Sequence, residues 1–157
     1  MGGIFTANGA KFSIGPSVSA EPADAAAYAA LSYTEVAFAE SLGEYGDEAS
    51  IVTFAEIGAG RVRKAKGARD AGTMPVTTAH IADDAGQDAL IAAEATNNKY
   101  AFKVVLPNRL TVGGTDEINY FIGLVTSKRD SVGTNDNVVR RTFNIAIDSE
   151  VTVVDAT

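Results

Sequence analysis

A mainly β fold, an antiparallel β-sandwich or barrel with one packed α-helix and a projecting hairpin, is predicted by three features of this 157-residue sequence. Most of the chain alternates apolar and polar residues with a period of two in short runs separated by turn residues, the pattern of half-buried strands. One run, 84–95, switches to a helical period. A third run, 43–72, sorts its charge along its length: acids come first, then an alternating stretch, a glycine turn and a basic return.

Composition sets the frame. With 46% hydrophobic residues the chain can bury a core, and residues 1–157 are expected to form one domain. There is no cysteine, which excludes disulfides and thiolate metal sites and fits an intracellular or virion setting. The N-terminal MGGIFTANGAKF lacks a basic region followed by an apolar stretch, and no apolar run approaches the roughly 18–20 residues of a membrane span. A protein soluble after synthesis is expected.

Residues 1–30 are expected to form an N-terminal arm. They hold a short alternating piece, Lys11, Phe12, Ser13 and Ile14, then an alanine-rich segment 21–30 with one or two helical turns at most. Residues 31–42 place Val36, Phe38 and Leu42 on one parity and predict a strand. Next come Glu44, Asp47 and Glu48, the run Ile51, Val52, Thr53, Phe54, Ala55, the turn Gly58-Ala59-Gly60, and the return Arg61, Val62, Arg63, Lys64, Ala65, Lys66. This is a hairpin signature. Positions 61–69 hold five of the thirteen Lys and Arg residues and no acid, so the remaining eight cations face all twenty acids, a net charge of −12. A hairpin with cations on both faces of its returning arm has little to bury at home, so it is expected to project and meet something acidic, the nearest candidate being another copy of the chain.

Residues 73–81 predict a strand with Met74, Val76, Thr78 and His80 on one parity and Pro75 near its start. Asp84 followed by Gln87 has capping-box spacing, and Ala89, Leu90 and Ala93 share a helical stripe. Strands follow at 99–106, with Tyr100, Phe102, Val104 and Leu106 on one face, and at 117–127, with Ile118, Tyr120, Ile122 and Leu124 on one parity. After a polar turn at 130–137, residues 138–147 alternate again, and a last strand at 151–154, within a C-terminal segment 148–157, is expected to seal a sheet edge, its own or a neighbour's.

No catalytic constellation emerges. His80 is the only histidine, too little for a zinc site or a nucleophilic triad. Gly58-Ala59-Gly60 lacks the third glycine of a dinucleotide fingerprint, Gly113-Gly114-Thr115 lacks the lysine of a phosphate loop, and 130–137 lacks the spacing of a calcium loop. No enzyme activity, cofactor or metal is expected.

Several segments together resemble a known family: ESLGEYGDEASIVTF (40–54), GRVRKAKGARDAGTMPV (60–76), DDAGQDALIAA (83–93), YFIGLVTSKR (120–129) and NVVRRTFNIAIDSE (137–150). Over roughly residues 31–155 the chain is similar to the major tail tube proteins of long-tailed bacteriophages and of phage-derived gene transfer agents. The resemblance implies a β-sandwich with a flanking helix, homohexameric rings stacked into a hollow tube of the virion tail, assembly in the host cytoplasm around a tape-measure protein alongside other tail proteins, and passage of double-stranded DNA without specific binding or any membrane in the mature tube. Glu44, Asp47, Glu48, Arg61, Arg63, Lys64, Lys66 and Arg69 are then candidate stacking residues, and Asp116, Glu117 and Asp130 are candidates for an acidic or neutral lumen. A small soluble binding module using the basic hairpin, or an inner tube of a contractile or secretion system, are the alternatives left open by the residues alone.

Overall fold

The computed structural model describes residues 3–157. Twelve elements follow one another: β1 (Lys11–Ser17), α1 (Ala25–Ala29), β2 (Thr34–Glu35), β3 (Ala39–Ser41), β4 (Glu48–Glu56), β5 (Arg61–Asp70), β6 (Thr73–Ala79), α2 (Ala85–Glu94), β7 (Tyr100–Leu106), β8 (Glu117–Ser131), β9 (Arg140–Ile147) and β10 (Thr152–Val154). All strands except β4 and β5 form one antiparallel sheet in the order β2-β1-β7-β8-β9-β6-β3, with β10 on β8. Of the two expected architectures, sandwich and barrel, the barrel is the one approached: the single sheet curls into a half-barrel.

The curl has a covalent cause. Strand β2 pairs with β1 at one edge of the sheet and β3 pairs with β6 at the other. Only Val36, Ala37 and Phe38 lie between them. Four Cα steps span at most about 14 Å, so the edges must come together. Phe38 makes the corner with φ of +58°, a conformation uncommon outside glycine, and its side chain is exposed while Val36 is buried. The continuous strand expected over 31–42 is therefore two short strands broken at a corner.

The N-terminus of α2 stitches this corner. Asp84 caps the helix by accepting from Gln87 N at 2.9 Å, and the same Oδ2 accepts from Ala37 N at 3.3 Å. The Gln87 side chain does not return to the Asp84 N–H, as a capping box would have it. It is wholly buried; its Nε2 donates to Ala79 O at 2.8 Å and Ala37 O at 3.4 Å, and its Oε1 accepts from Ile81 N at 3.4 Å. A Cβ at Gly86 would lie 2.3 Å from Glu35 O and 2.6 Å from Val36 Cα, so only glycine lets the helix approach the corner. Leu90 and Ala93 then bury against the sheet.

The sheet is packed on both faces, which sequence alternation does not show. One face carries Phe12, Met74, Val76, Phe102, Val104, Phe121, Phe143 and Ile145 with Leu90 of α2. Its aromatic row runs Phe12, Phe102, Phe121, with centroids 5.7 and 5.5 Å apart. The other face holds Ala101, Tyr120 and Ile122 beneath Tyr28 of α1, whose ring stacks on Tyr120 at 5.3 Å. Strand β8 consequently buries consecutive residues, Asn119 through Gly123. The N-terminal arm of the sequence reading thus supplies a core strand, since β1 pairs along β7, and a second helix.

Strand β8 is also longer than expected, reaching Ser131. Its first half pairs with β7 and β10, and its second half with β9. Strand β10 thereby seals the edge of its own sheet, and Ser149 Oγ accepts from Ile122 N at 2.8 Å in the loop between β9 and β10.

Two outcomes follow. Gln87→Met keeps the side-chain volume but orphans Ala79 O, Ala37 O and Ile81 N, and should cost about 2–4 kcal/mol in urea unfolding; a loss below about 0.5 kcal/mol would contradict the stitched corner. Deleting residues 149–157 exposes the β8 edge and Tyr120, and should lower solubility or prevent assembly, measured as the soluble fraction and by sedimentation.

Candidate functional site

The hairpin is a two-stranded sheet of its own, without ladder bonds to the main sheet. Its register runs from Glu56↔Arg61 beside the turn at 57–60 to Glu48↔Asp70 at the base, with a bulge between Ala49 and Ile51. Gly67 fits that bulge because a Cβ there would sit 2.5 Å from Ser50 Oγ. Within β4 and β5 only Ala49 and Gly67 are even partly shielded.

Directly opposed residues share a face and successive ones alternate. One face therefore carries Ile51, Thr53 and Ala55 with Lys66, Lys64 and Val62; the other carries Val52, Phe54 and Glu56 with Ala65, Arg63 and Arg61. The cations do lie on both faces, as expected from sequence, and large apolar side chains do too. Phe54 is 67% exposed and Ile57, at the turn, fully so. The sequence reading weighed only the charge. The missed signal was present: Ile51, Val52 and Phe54 put apolar residues on both parities, which no strand packed on a single face requires.

Part of the expected intermolecular charge is spent within the chain. Arg63 Nε lies 3.4 Å from Glu56 Oε2, and Arg69 Nη1 lies 3.7 Å from Asp47 Oδ2 at the hairpin base. Among the described residues, Arg61, Lys64, Lys66, Glu44 and Glu48 make no ion pair. Beside the base, Glu21, Asp47, Asp70, Asp148 and Glu150 with Arg69 line an open cleft of about 470 Å³.

The three lumen candidates are not brought together. Asp116 and Glu117 stand where β8 begins and Asp130 near its end, about 45 Å along an extended strand. Each is tied locally. Arg109 grips Asp116 through Nε at 3.1 Å and Nη2 at 3.0 Å, and these hydrogen bonds hold the carboxyl below its ordinary range. Asn108 Nδ2 donates to Glu117 Oε2 at 2.9 Å. Asp130 accepts from the buried Arg141 through Nε at 2.7 Å, which likewise lowers its pKa. Arg141 Nη2 lies 3.0 Å from His80 Nε2, so the exposed histidine braces an arginine. A further bidentate pair, Arg140 with Glu40, joins β9 to β3 and holds the Glu40 carboxyl low. No grouping of three or more His, Asp or Glu residues suited to a metal occurs among the described residues, and no helix among them is long and apolar enough to cross a membrane.

Asp130, Asp116 and Glu40 have folded-state pKa values below their unfolded ones. Their stabilisation is present above the ordinary carboxylate value near 4 and is lost as pH falls through the depressed values. Stability should be flat with respect to these groups from pH 7 to 5 and decline below about pH 4; Asp130→Asn should flatten part of that decline in thermal melts at pH 2–5, and an unchanged slope would count against the Arg141 pair.

Comparison with known proteins gives one family and a set of similar folds. The family profile of the phage tail tube protein, TTP, matches residues 1–156. A chain of the anti-feeding prophage baseplate, from a six-fold symmetrised cryo-EM structure, superposes with TM-score 0.75 at 8% identity over 100% of this chain and 99% of that one. The SPP1 tail tube protein superposes with TM-score 0.60 at 14% identity, covering 93% of this chain and 76% of that one. No curated protein sequence matches significantly.

Proposed function

The chain belongs to the phage tail tube protein family, a structural family and not an enzyme family, and from that premise we propose that it assembles into homohexameric rings stacked by the β4–β5 hairpin into a hollow conduit for double-stranded DNA. A tail tube subunit is a component of the virion tail. The finer reading adds assembly in the host cytoplasm around a tape-measure protein, contact with other tail proteins, and a mature tube without membrane.

The observation that carries it is the hairpin itself: a ribbon that leaves the main sheet, buries almost nothing at home, and keeps Arg61, Lys64 and Lys66 out of any ion pair among the described residues. The six-fold baseplate and the SPP1 tube share the fold, which supports a ring of this order. A closed ring needs two unlike surfaces on each subunit, and a stack needs a further pair; a basic projection on an otherwise acidic body supplies one such pair. Outside the basic arm the net charge of −12 favours a lumen that repels DNA, because phosphate neutralisation is what makes DNA stick. The hairpin crosses into the adjacent ring and sets Arg61, Arg63, Lys64 and Lys66 beside acidic side chains there.

Exposed charge pairs contribute roughly 0–1 kcal/mol each, so single substitutions should do little. Replacing Arg61, Arg63, Lys64 and Lys66 together by glutamate should leave a subunit with the wild-type circular dichroism spectrum and melting point that no longer sediments as tubes. Normal tubes from this variant in negative stain would overturn the stacking role.

A further inference from the structure

We propose that Phe38 anchors a separate contact between copies of this chain, in which its exposed ring and the groove beside it receive the uncharged segment 3–5 of a neighbouring copy. The inference rests on the assembly reading above and adds to it a contact in which the hairpin takes no part. Phe38 stands at the corner with φ of +58°, a left-handed conformation that costs a residue with a Cβ and that glycine or asparagine adopts more readily. Its ring gains little in return within the subunit. It is 64% exposed, belongs to neither core cluster and, among the described residues, stacks on no other ring. The stitch at the corner uses backbone groups instead: Ala37 N, Ala37 O, and Phe38 O, which accepts from Ala79 N at 3.0 Å. The fold uses the turn and leaves the ring in water, and a residue that is both strained and exposed points to a role outside the subunit.

The chemistry of the groove selects its occupant. Phe38, Ala39, Ala79 and Val138 border about 300 Å³ of open space, with Glu40 and Arg140 beside them. Glu40 and Arg140 are bound to each other, so the groove offers a charged partner no free counter-ion and suits an apolar one. The basic hairpin is a poor match. Ile4 and Phe5, fully and 47% exposed, lie within GIFTANGA (3–10), a stretch without a charged side chain. On their own body these two border residues 107–110, and none of the residues around them borders the corner groove; a contact at the corner therefore takes them from another copy. Groove and arm are unlike surfaces, as a head-to-tail contact in a closed assembly requires.

Phe38→Gly separates an anchor from a residue that serves the fold, because only the second role predicts a loss of stability. Dissociated Phe38→Gly subunits should melt within about 2 °C of wild type or higher, while the concentration needed for assembly, read by sedimentation, should rise at least about tenfold, the loss of one anchoring side chain. Phe38→Asn should behave alike. A larger drop in melting point for both variants, or normal assembly of either, overturns the proposal. Ile4→Ser with Phe5→Ser should weaken assembly likewise, and normal assembly of that pair overturns the assigned occupant. The chain has no cysteine, so a photo-crosslinker attached at Ala39→Cys maps the occupant: in sedimented assemblies it should capture a peptide containing residues 3–5 of another copy, and capture of a different peptide overturns it. If Phe38→Gly assembles normally while the fourfold glutamate variant of the hairpin does not, this contact fails and hairpin stacking stands; a wild-type chain that forms no assembly overturns both.

Discussion

Between Glu35 and Ala39 the chain passes from one edge of the sheet to the other in four Cα steps, and the shape of the molecule depends on that short distance. A sheet whose first and last strands are joined so closely cannot stay open; it curls and encloses a core that α2 completes. The corner is costly, since Phe38 takes φ of +58° and the backbone groups of Ala37 turn away from any ladder. Asp84 and Gln87 offset that cost by bonding both of them. Gly86 permits the approach. One helix N-terminus thus serves as cap, stitch and core element together.

The hairpin stands apart from the curled sheet. Strands β4 and β5 pair only with each other, while the main sheet ends in the short strands β2 and β3 and carries β10 on β8. Both faces of the first half of β8 are taken, one by the α2 core and one by Tyr28 and its neighbours. Ile51, Val52, Phe54, Ile57 and Val62 of the hairpin stay exposed within the chain. We propose that such residues meet other copies of the chain, where the cations beside them would set orientation more than strength.

Much of this was legible in the sequence, for identifiable reasons. Strands β6, β7 and β9 alternate cleanly because Met74 and Val76, Phe102 and Val104, and Phe143 and Ile145 face the same core; α2 declares itself through Asp84 and the Leu90 stripe. The segment 31–42 misled because Val36 and Phe38 share a parity that the αL corner undoes. Burial on both sides of β8 was hidden because Ile118, Tyr120 and Ile122 serve a second core built by α1, a helix too short to announce itself. For the candidate site, the hairpin and its free cations could be read directly. Asp47 could not be distinguished as an internal partner of Arg69, nor Asp130 as that of Arg141, because those pairs depend on a bulge and on a register between distant strands.

The central claim is that the hairpin finds its burial on other copies of the chain, and electron cryomicroscopy of the self-assembled protein tests it most directly. The account predicts stacked rings in which density for β4 and β5 crosses the boundary between rings, with Phe54 and Ile51 enclosed by neighbouring subunits. Rings whose hairpins fold back on their own sheet, or stacks in which both apolar faces remain in solvent, would contradict it.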